Sequence, residues 1–183
     1  MSEEKIYQKF TEIKDILSKH GLVKIQADAK FPYLEIEKSK TVEFLEFLKN
    51  SETLRFSFFE NLVVTEEKEN NGVWLFYGLA SVFLEARVFV GVQIKRRDEK
   101  IVSVSKIWSG AFYHEREAAE MFGLEFEGNP RRAFLLPDGW LGFPLRKRYQ
   151  FPEQFLGIEH KREELKKEHF KPVLKSEIQS ETS

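Results

Sequence analysis

Residues 70–95 read NNGVWLFYGLASVFLEARVFVGVQIK, and how they are parsed decides the fold. Asn70-Asn71-Gly72 is a tight-turn signal, because Asn and Gly tolerate positive φ. The spacing predicts strands on both sides of it, LRFSFFENLVV (54–64) before and VWLFYGLASV (73–82) after, paired as a hairpin. Further on, Val88, Val90, Val92 and Ile94 alternate with Arg87, Phe89, Gly91 and Gln93, the period of two that marks a half-buried strand. Glu85 and Arg87 interrupt the longest apolar region, Val82 to Val92, and nothing in the chain reaches the ~18 apolar residues a membrane span needs.

Short strands are expected at 22–26 and 33–37, and again where Val102 and Val104 alternate with Ser103 and Ser105. Ile6, Phe10, Ile13 and Leu17 fall at helical spacing, predicting a helix over 4–19 that ends at Gly21. Thr41 is placed to cap a second helix with Phe44, Leu45 and Leu48 on one face. A third helix runs from about 112 to Phe122, with Gly123 ending it. The fold class is therefore α+β, an antiparallel or mixed sheet with helices packed on it.

After Gly123 the pattern changes. Residues 124–158 hold Pro at 130, 137, 144 and 152 and Gly at 128, 139, 142 and 157, so neither helical nor strand periodicity survives. The same stretch is rich in large apolar residues: Phe134, Leu135, Leu136, Trp140, Leu141, Phe143 and Leu145. An extended Pro/Gly-rich arm of that content is expected to lie against another surface. The tail from Glu159 carries six Lys/Arg and six Glu, a solvated helix with a frayed end or a docking arm. Domain boundaries follow: 1–123 as the α+β domain, 124–158 as a partner-docking segment, 159–183 as a charged tail.

Composition narrows the function. The 183 residues suit one domain with an arm, and 42% hydrophobic content with 18 Phe is globular rather than disordered. A net charge of −1 gives no global field for nucleic acid or an anionic membrane. The absence of Cys excludes disulfides, a Cys nucleophile, thiolate zinc and a cysteine-ligated iron–sulfur cluster within this chain. The charged start MSEEKIYQKF contains no apolar core of a signal peptide.

The densest set of ionisable groups is YHEREAAEMFGLEFEGNPRRAFLLPDGWLGFPLRKRY, 113–149. His114-Glu115 begins like the zinc motif HExxH, but Ala118 stands where the second ligand belongs. Glu115 and Glu117, with His114, are the candidates for acid–base chemistry in a stand-alone enzyme. On a helix, however, 115 and 117 face different sides, while Arg116 and Glu120 form an i,i+4 pair. A structural ion-pair network over Glu115, Arg116, Glu117 and Glu120 is the preferred reading. Arg131, Arg132, Arg146, Lys147 and Arg148 make 128–150 basic, with five positive charges against Asp138. Interleaved aromatics raise the option of RNA, yet the rest of the chain is not basic, and arginine suits carboxylates on a protein partner. No phosphate-binding glycine pattern and no nucleophile elbow is present.

These residues carry a resemblance. ERE (115–117), Glu120, MFG (121–123), GNP (128–130), the pair Arg131-Arg132, PDGW (137–140) with Trp140, GFPLRK (142–147) and Tyr149 follow one another in the order of the 30 kDa subunit family of respiratory complex I, which the chain resembles closely over about 40 residues. Ala119 stands where that family has an aromatic, Glu120 where Asp is common, Asn129 in place of His, and Arg148 where an acid follows Arg-Lys. Two residues usually lying before the Arg pair are absent. Such departures mark a divergent branch. The resemblance implies a cofactor-free subunit in the hydrophilic arm of a complex-I-like redox complex. It would pack against a large subunit with the quinone or NiFe site and against a small Fe–S subunit. The expected parent is a membrane-bound hydrogenase or related ferredoxin-linked complex, with the C subunit of an NADH-quinone oxidoreductase proper as the alternative. The implied location is peripheral, at the cytoplasmic face of the cell membrane, with membrane contact only through the complex.

Overall fold

The computed structural model describes residues 3–27, 31–67, 72–95, 100–130, 133–152, 154–155 and 157–159. The chain forms two compact units, the first reaching Tyr149 and the second starting at Gln150. The first unit opens with α1 (Glu3–Glu12), α2 (Lys14–Lys19), β1 (Leu22–Gln26), β2 (Tyr33–Ile36) and α3 (Thr41–Asn50). It continues with β3 (Phe58–Glu66), β4 (Gly72–Ser81), β5 (Ala86–Lys95), β6 (Lys100–Val102), α4 (Ala111–Phe122) and β7 (Glu125–Glu127). In the second unit β8 (Gln154–Phe155) and β9 (Ile158–Glu159) pair antiparallel.

The opening stretch folds as its alternation requires. β4 and β5 pair antiparallel from Gly72↔Lys95 to Ser81↔Ala86, and β3 pairs antiparallel with β4 up to Glu66↔Val73. The tight turn assigned to Asn70-Asn71 lies outside the described residues, although its strands form the hairpin. The five strands run β1-β2-β5-β4-β3, and one pair, β2 with β5, is parallel, so the sheet is mixed. Val73, Leu75, Tyr77 and Leu79 share the buried face with Val88, Val90, Val92 and Ile94. Ile6, Phe10, Leu17, Phe44, Leu45 and Leu48 from the helices join the same cluster. Each such side chain contributes about 1.5–3 kcal/mol of burial.

Four local expectations are corrected, each for a backbone reason. The helix over 4–19 is broken at Ile13, whose φ of −102° and ψ of 18° leave helical values. Thr41 does not cap α3. It is the first helical residue, and its hydroxyl donates back to Lys38 O at 2.8 Å. β3 starts at Phe58 rather than Leu54, because Phe56 N–H serves the α3 carbonyl of Leu48 and Arg55 N–H that of Ser51, the residue that caps the helix end. The strand at 102–105 stops at Val102 and joins β7 in a separate parallel pair. Beyond it, the N–H of Val104 donates to Glu115 and that of Ser105 to Ser103 Oγ.

The other face of the sheet carries aromatic rings laid over glycines. Trp74 and Phe76 stack with centroids 5.7 Å apart, and Tyr33 meets Phe76 edge-on at 5.1 Å. A Cβ on Gly91 would come within 2.8 Å of Tyr33 and 3.0 Å of Phe76. Gly91→Ala is therefore expected to destabilise the chain by about 1–2 kcal/mol, an overpacking cost. Gly110→Ala, whose nearest atom would lie at 3.9 Å, should be near neutral. Urea midpoints of the two variants check the difference.

Candidate docking site

α4 is the spine of the site. Gly123 ends it at φ +76°, in the left-handed region, and a Cβ there would sit 2.5 Å from the Phe143 ring. That close approach lets residues 133–149, an irregular strap of turns, lie back against the end of α4. The strap belongs to the first compact unit.

The strap is held by polar contacts that its sequence does not advertise. Glu120 is 9% exposed, and its carboxylate accepts the N–H groups of Phe134 at 3.0 Å and Leu135 at 2.7 Å. Burial pushes the Glu120 pKa up, but the N–H groups of Leu135, Phe134 and Leu136, with Arg116 nearby, outweigh it and hold the carboxyl below its ordinary value. Leu145 N–H donates to Met121 O at 3.2 Å, and Arg146 Nε donates to Phe122 O, serving the orphan carbonyls of the helix end. Arg146 also faces Glu66 at 3.6 Å. Lys147 donates its N–H to Glu66 Oε2 at 2.7 Å and its ammonium to Glu66 O. Tyr149 covers Gly142 and donates its hydroxyl to Leu141 O at 3.0 Å.

The structure separates the residues singled out from the sequence. Glu115 is fully buried, while Glu117 is exposed on another side of the helix, so no acid–base pair is assembled from them. His114 rests against the Phe59 ring at 5.5 Å. Arg116 does not come within ion-pairing distance of Glu120. Its guanidinium lies over the rings of Phe112 and Phe134 and donates to Ala133 O at 3.3 Å. Arg148 is exposed, and Trp140, half-buried, donates its backbone N–H to Pro137 O. Arg131 and Arg132 lie outside the described residues. Among the described residues, no group of three or more His, Asp or Glu could hold a metal ion, and no helix is long and apolar enough to cross a membrane.

With Arg146 and Lys147 bonded inward, the strap presents apolar side chains outward. Leu141 is 82% exposed, and Phe134, Leu135 and Leu145 are exposed too, with Tyr113 of α4 against Phe134. A groove of about 430 Å³ opens between Glu120, Leu136, Pro137, Trp140, Leu141 and Phe143. Glu66 joins the site without being expected from the sequence, as do Ser103 and Asn129, which bond Glu115 of α4 at 2.6 and 2.9 Å. Only Asn129 carries a signal there, as the residue standing in place of the family His.

The family model described as "Respiratory-chain NADH dehydrogenase, 30 Kd subunit" matches residues 34–155. The chain is 38% identical over 115 residues to the NADH-quinone oxidoreductase C subunit of Chloroherpeton thalassium, a match covering 61% of this chain and 47% of that protein. It is 35% identical over 130 residues to the C subunit of Chlorobium phaeobacteroides, covering 69% of this chain and 78% of that one. The chain thus spans about half the length of the first of these relatives. Among solved structures, a chain of the membrane-bound sulfane sulfur reductase, an archaeal respiratory membrane complex, superposes with a TM-score of 0.61 at 23% identity, over 72% of this chain and 79% of that one. The trypsin-resistant fragment of Nqo5 superposes with a TM-score of 0.53 at 19% identity, over 67% and 98%. Both structural likenesses bear on the fold.

Proposed function

The chain belongs to the respiratory-chain NADH dehydrogenase 30 Kd subunit family, and we propose that it is a non-catalytic, cofactor-free subunit of a complex-I-like, membrane-bound redox complex. One observation carries this reading. The strap spends Arg146 and Lys147 on the chain itself and turns Phe134, Leu135, Leu141 and Leu145 to the outside. Large apolar side chains exposed in one segment of a folded chain mark an interface.

The occupant we propose is the large subunit that bears the quinone-type or NiFe site, with the small Fe–S subunit alongside. The electron-transfer centres then belong to those chains, and this one serves assembly at the cytoplasmic face of the membrane. We place the parent complex in the ferredoxin-linked, hydrogenase-type branch, on the departures at Ala119, Asn129 and Arg148. The second reading, the C subunit of an NADH-quinone oxidoreductase proper, is favoured by the names its sequence relatives carry.

Affinity purification of the tagged full chain from solubilised native membranes tests the proposal. Stoichiometric co-elution of a large and a small redox subunit is expected. A large subunit with CxxC pairs near both ends would identify the NiFe branch, and one without them the quinone branch. Elution of the chain alone near its 21.6 kDa mass would sink the proposal. Leu135→Glu with Leu141→Glu should weaken co-elution by roughly tenfold or more while leaving the thermal transition of the isolated chain in place.

A further inference from the structure

Glu115 is an ionisable residue enclosed by uncharged hydrogen-bond donors. Its side chain is fully buried, and its partners among the described residues are uncharged. Val104 N–H donates to Oε1 at 2.7 Å, and Asn129 Nδ2 donates to Oε2 at 2.9 Å. Ser103 Oγ lies 2.6 Å from Oε2, and Ser105 Oγ lies 2.7 Å from Ser103 Oγ. Buried carboxylates are ordinarily paired with a cation or protonated. The charged side chains that the structure describes nearby in sequence point elsewhere, and Lys106 is exposed. Arg116 sits on the Phe112 and Phe134 rings, His114 on Phe59, Glu120 takes the strap N–H groups, and Glu125 and Glu127 of β7 are exposed. From β4, the titratable group on this side is the buried Tyr77, which stays neutral.

The serines supply a route inward. Ser103 is buried, and Ser105 is half-buried at the surface end of the row. With Glu115 ionised, Ser105 donates to Ser103 and Ser103 to Glu115. With Glu115 protonated, both hydroxyls reverse, so that Glu115 donates to Ser103 and Ser103 to Ser105. A proton taken up at Ser105 reaches the carboxylate by hydrogen shifts alone, without any heavy atom moving.

We propose that Glu115 is a buried proton-binding site, filled through Ser105 and Ser103, whose neutral form locks α4 to the Asn129 turn from which the strap departs. Asn129 joins the two sides of the lock, donating to Phe112 O as well as to Glu115. Burial raises the Glu115 carboxyl above its ordinary range, against the hydrogen bonds from Asn129, Ser103 and Val104, in keeping with a held proton. Loss of the proton leaves a buried negative charge faced, among the described residues, by the neutral donors Ser103, Val104 and Asn129, and opening of the 128–130 turn relieves it. The site stands on its own geometry, whatever partner the strap engages.

The experiment is a pH titration of the full chain by carboxyl carbon NMR, with Glu115 assigned from the signal missing in Glu115→Gln. The expected midpoint lies above the ordinary glutamate value. Hydrogen exchange at the amides of Val104 and Asn129, corrected for intrinsic base catalysis, should rise through the same midpoint in the wild type and stay flat in Glu115→Gln. Ser103→Ala keeps the carboxyl but removes a donor to its charged form, so the midpoint should move further up. A Glu115 midpoint at or below the ordinary glutamate value would overturn the proposal. So would an unchanged exchange profile in Glu115→Gln, or an unmoved midpoint in Ser103→Ala.

Discussion

Glu120→Ala is expected to detach residues 133–136 from α4 and to cost about 2–4 kcal/mol, with the five-stranded sheet still folded. The size follows from what the carboxylate does. It accepts the N–H groups of Phe134 and Leu135, and removing an ionised acceptor strands those donors at about 1–3 kcal/mol, more when several share it. Hydrogen exchange at 134–136 should accelerate while the β4 and β5 amides keep their protection. Glu120→Gln retains one acceptor oxygen and should lose less. The pH dependence has a definite sign. The folded-state pKa of Glu120 lies below the ordinary glutamate value, so its stabilisation is complete above that ordinary value and is lost as pH falls through the folded one. Glu115, five residues earlier on the same helix, is shifted up, so its contribution falls as pH rises through its folded value. Stability curves of the two Gln variants against pH should therefore diverge from wild type at opposite ends. Parallel curves would contradict the assignment.

These two glutamates show where sequence reading succeeds and where it stops. Period-two alternation at Val88–Ile94 and the helix over 111–122 with its left-handed Gly123 are local facts, and local sequence expresses them. The i,i+4 spacing of Arg116 and Glu120 is local too, but an exposed pair of that kind contributes only a few tenths of a kcal/mol. Backbone N–H groups 14 and 15 residues away offer Glu120 more, and two aromatic rings claim Arg116. Nothing in the local pattern links Glu66 to Lys147, 81 residues later, or Ser103 to Glu115 across a turn. The alternation of Val102 and Val104 with serines misleads for the same reason. Those polar residues are spent on a carboxylate, not on a solvent-facing strand edge. The arginines of the strap suggest a surface for a partner, and the two that are described divide between an internal tie beside Glu66, Arg146, and an exposed position, Arg148.

Arg146→Ala should cost about 3–5 kcal/mol, the range for breaking a buried ion pair from one side. The pair is shielded, with side-chain exposure of 13% for Arg146 and 10% for Glu66. The guanidinium also serves Phe122 O at the end of α4, so its loss unties the strap from two elements at once. Glu66 keeps its contacts with Lys147 but loses the guanidinium that faces its carboxylate. Glu66→Ala alone should be similarly damaging. The double variant should cost less than the sum of the two, with a coupling of about 1–3 kcal/mol for contacting charges. Arg146→Met, which keeps the length of the side chain without its charge, separates packing from electrostatics. If packing dominated, it would recover most of the stability. If the ion pair dominates, as the geometry indicates, it recovers little, and the effect changes little with added salt because the pair is withdrawn from solvent. A loss under about 0.5 kcal/mol in Arg146→Ala would place it among ordinary surface substitutions and would leave the strap held by its other ties, Glu120 first among them.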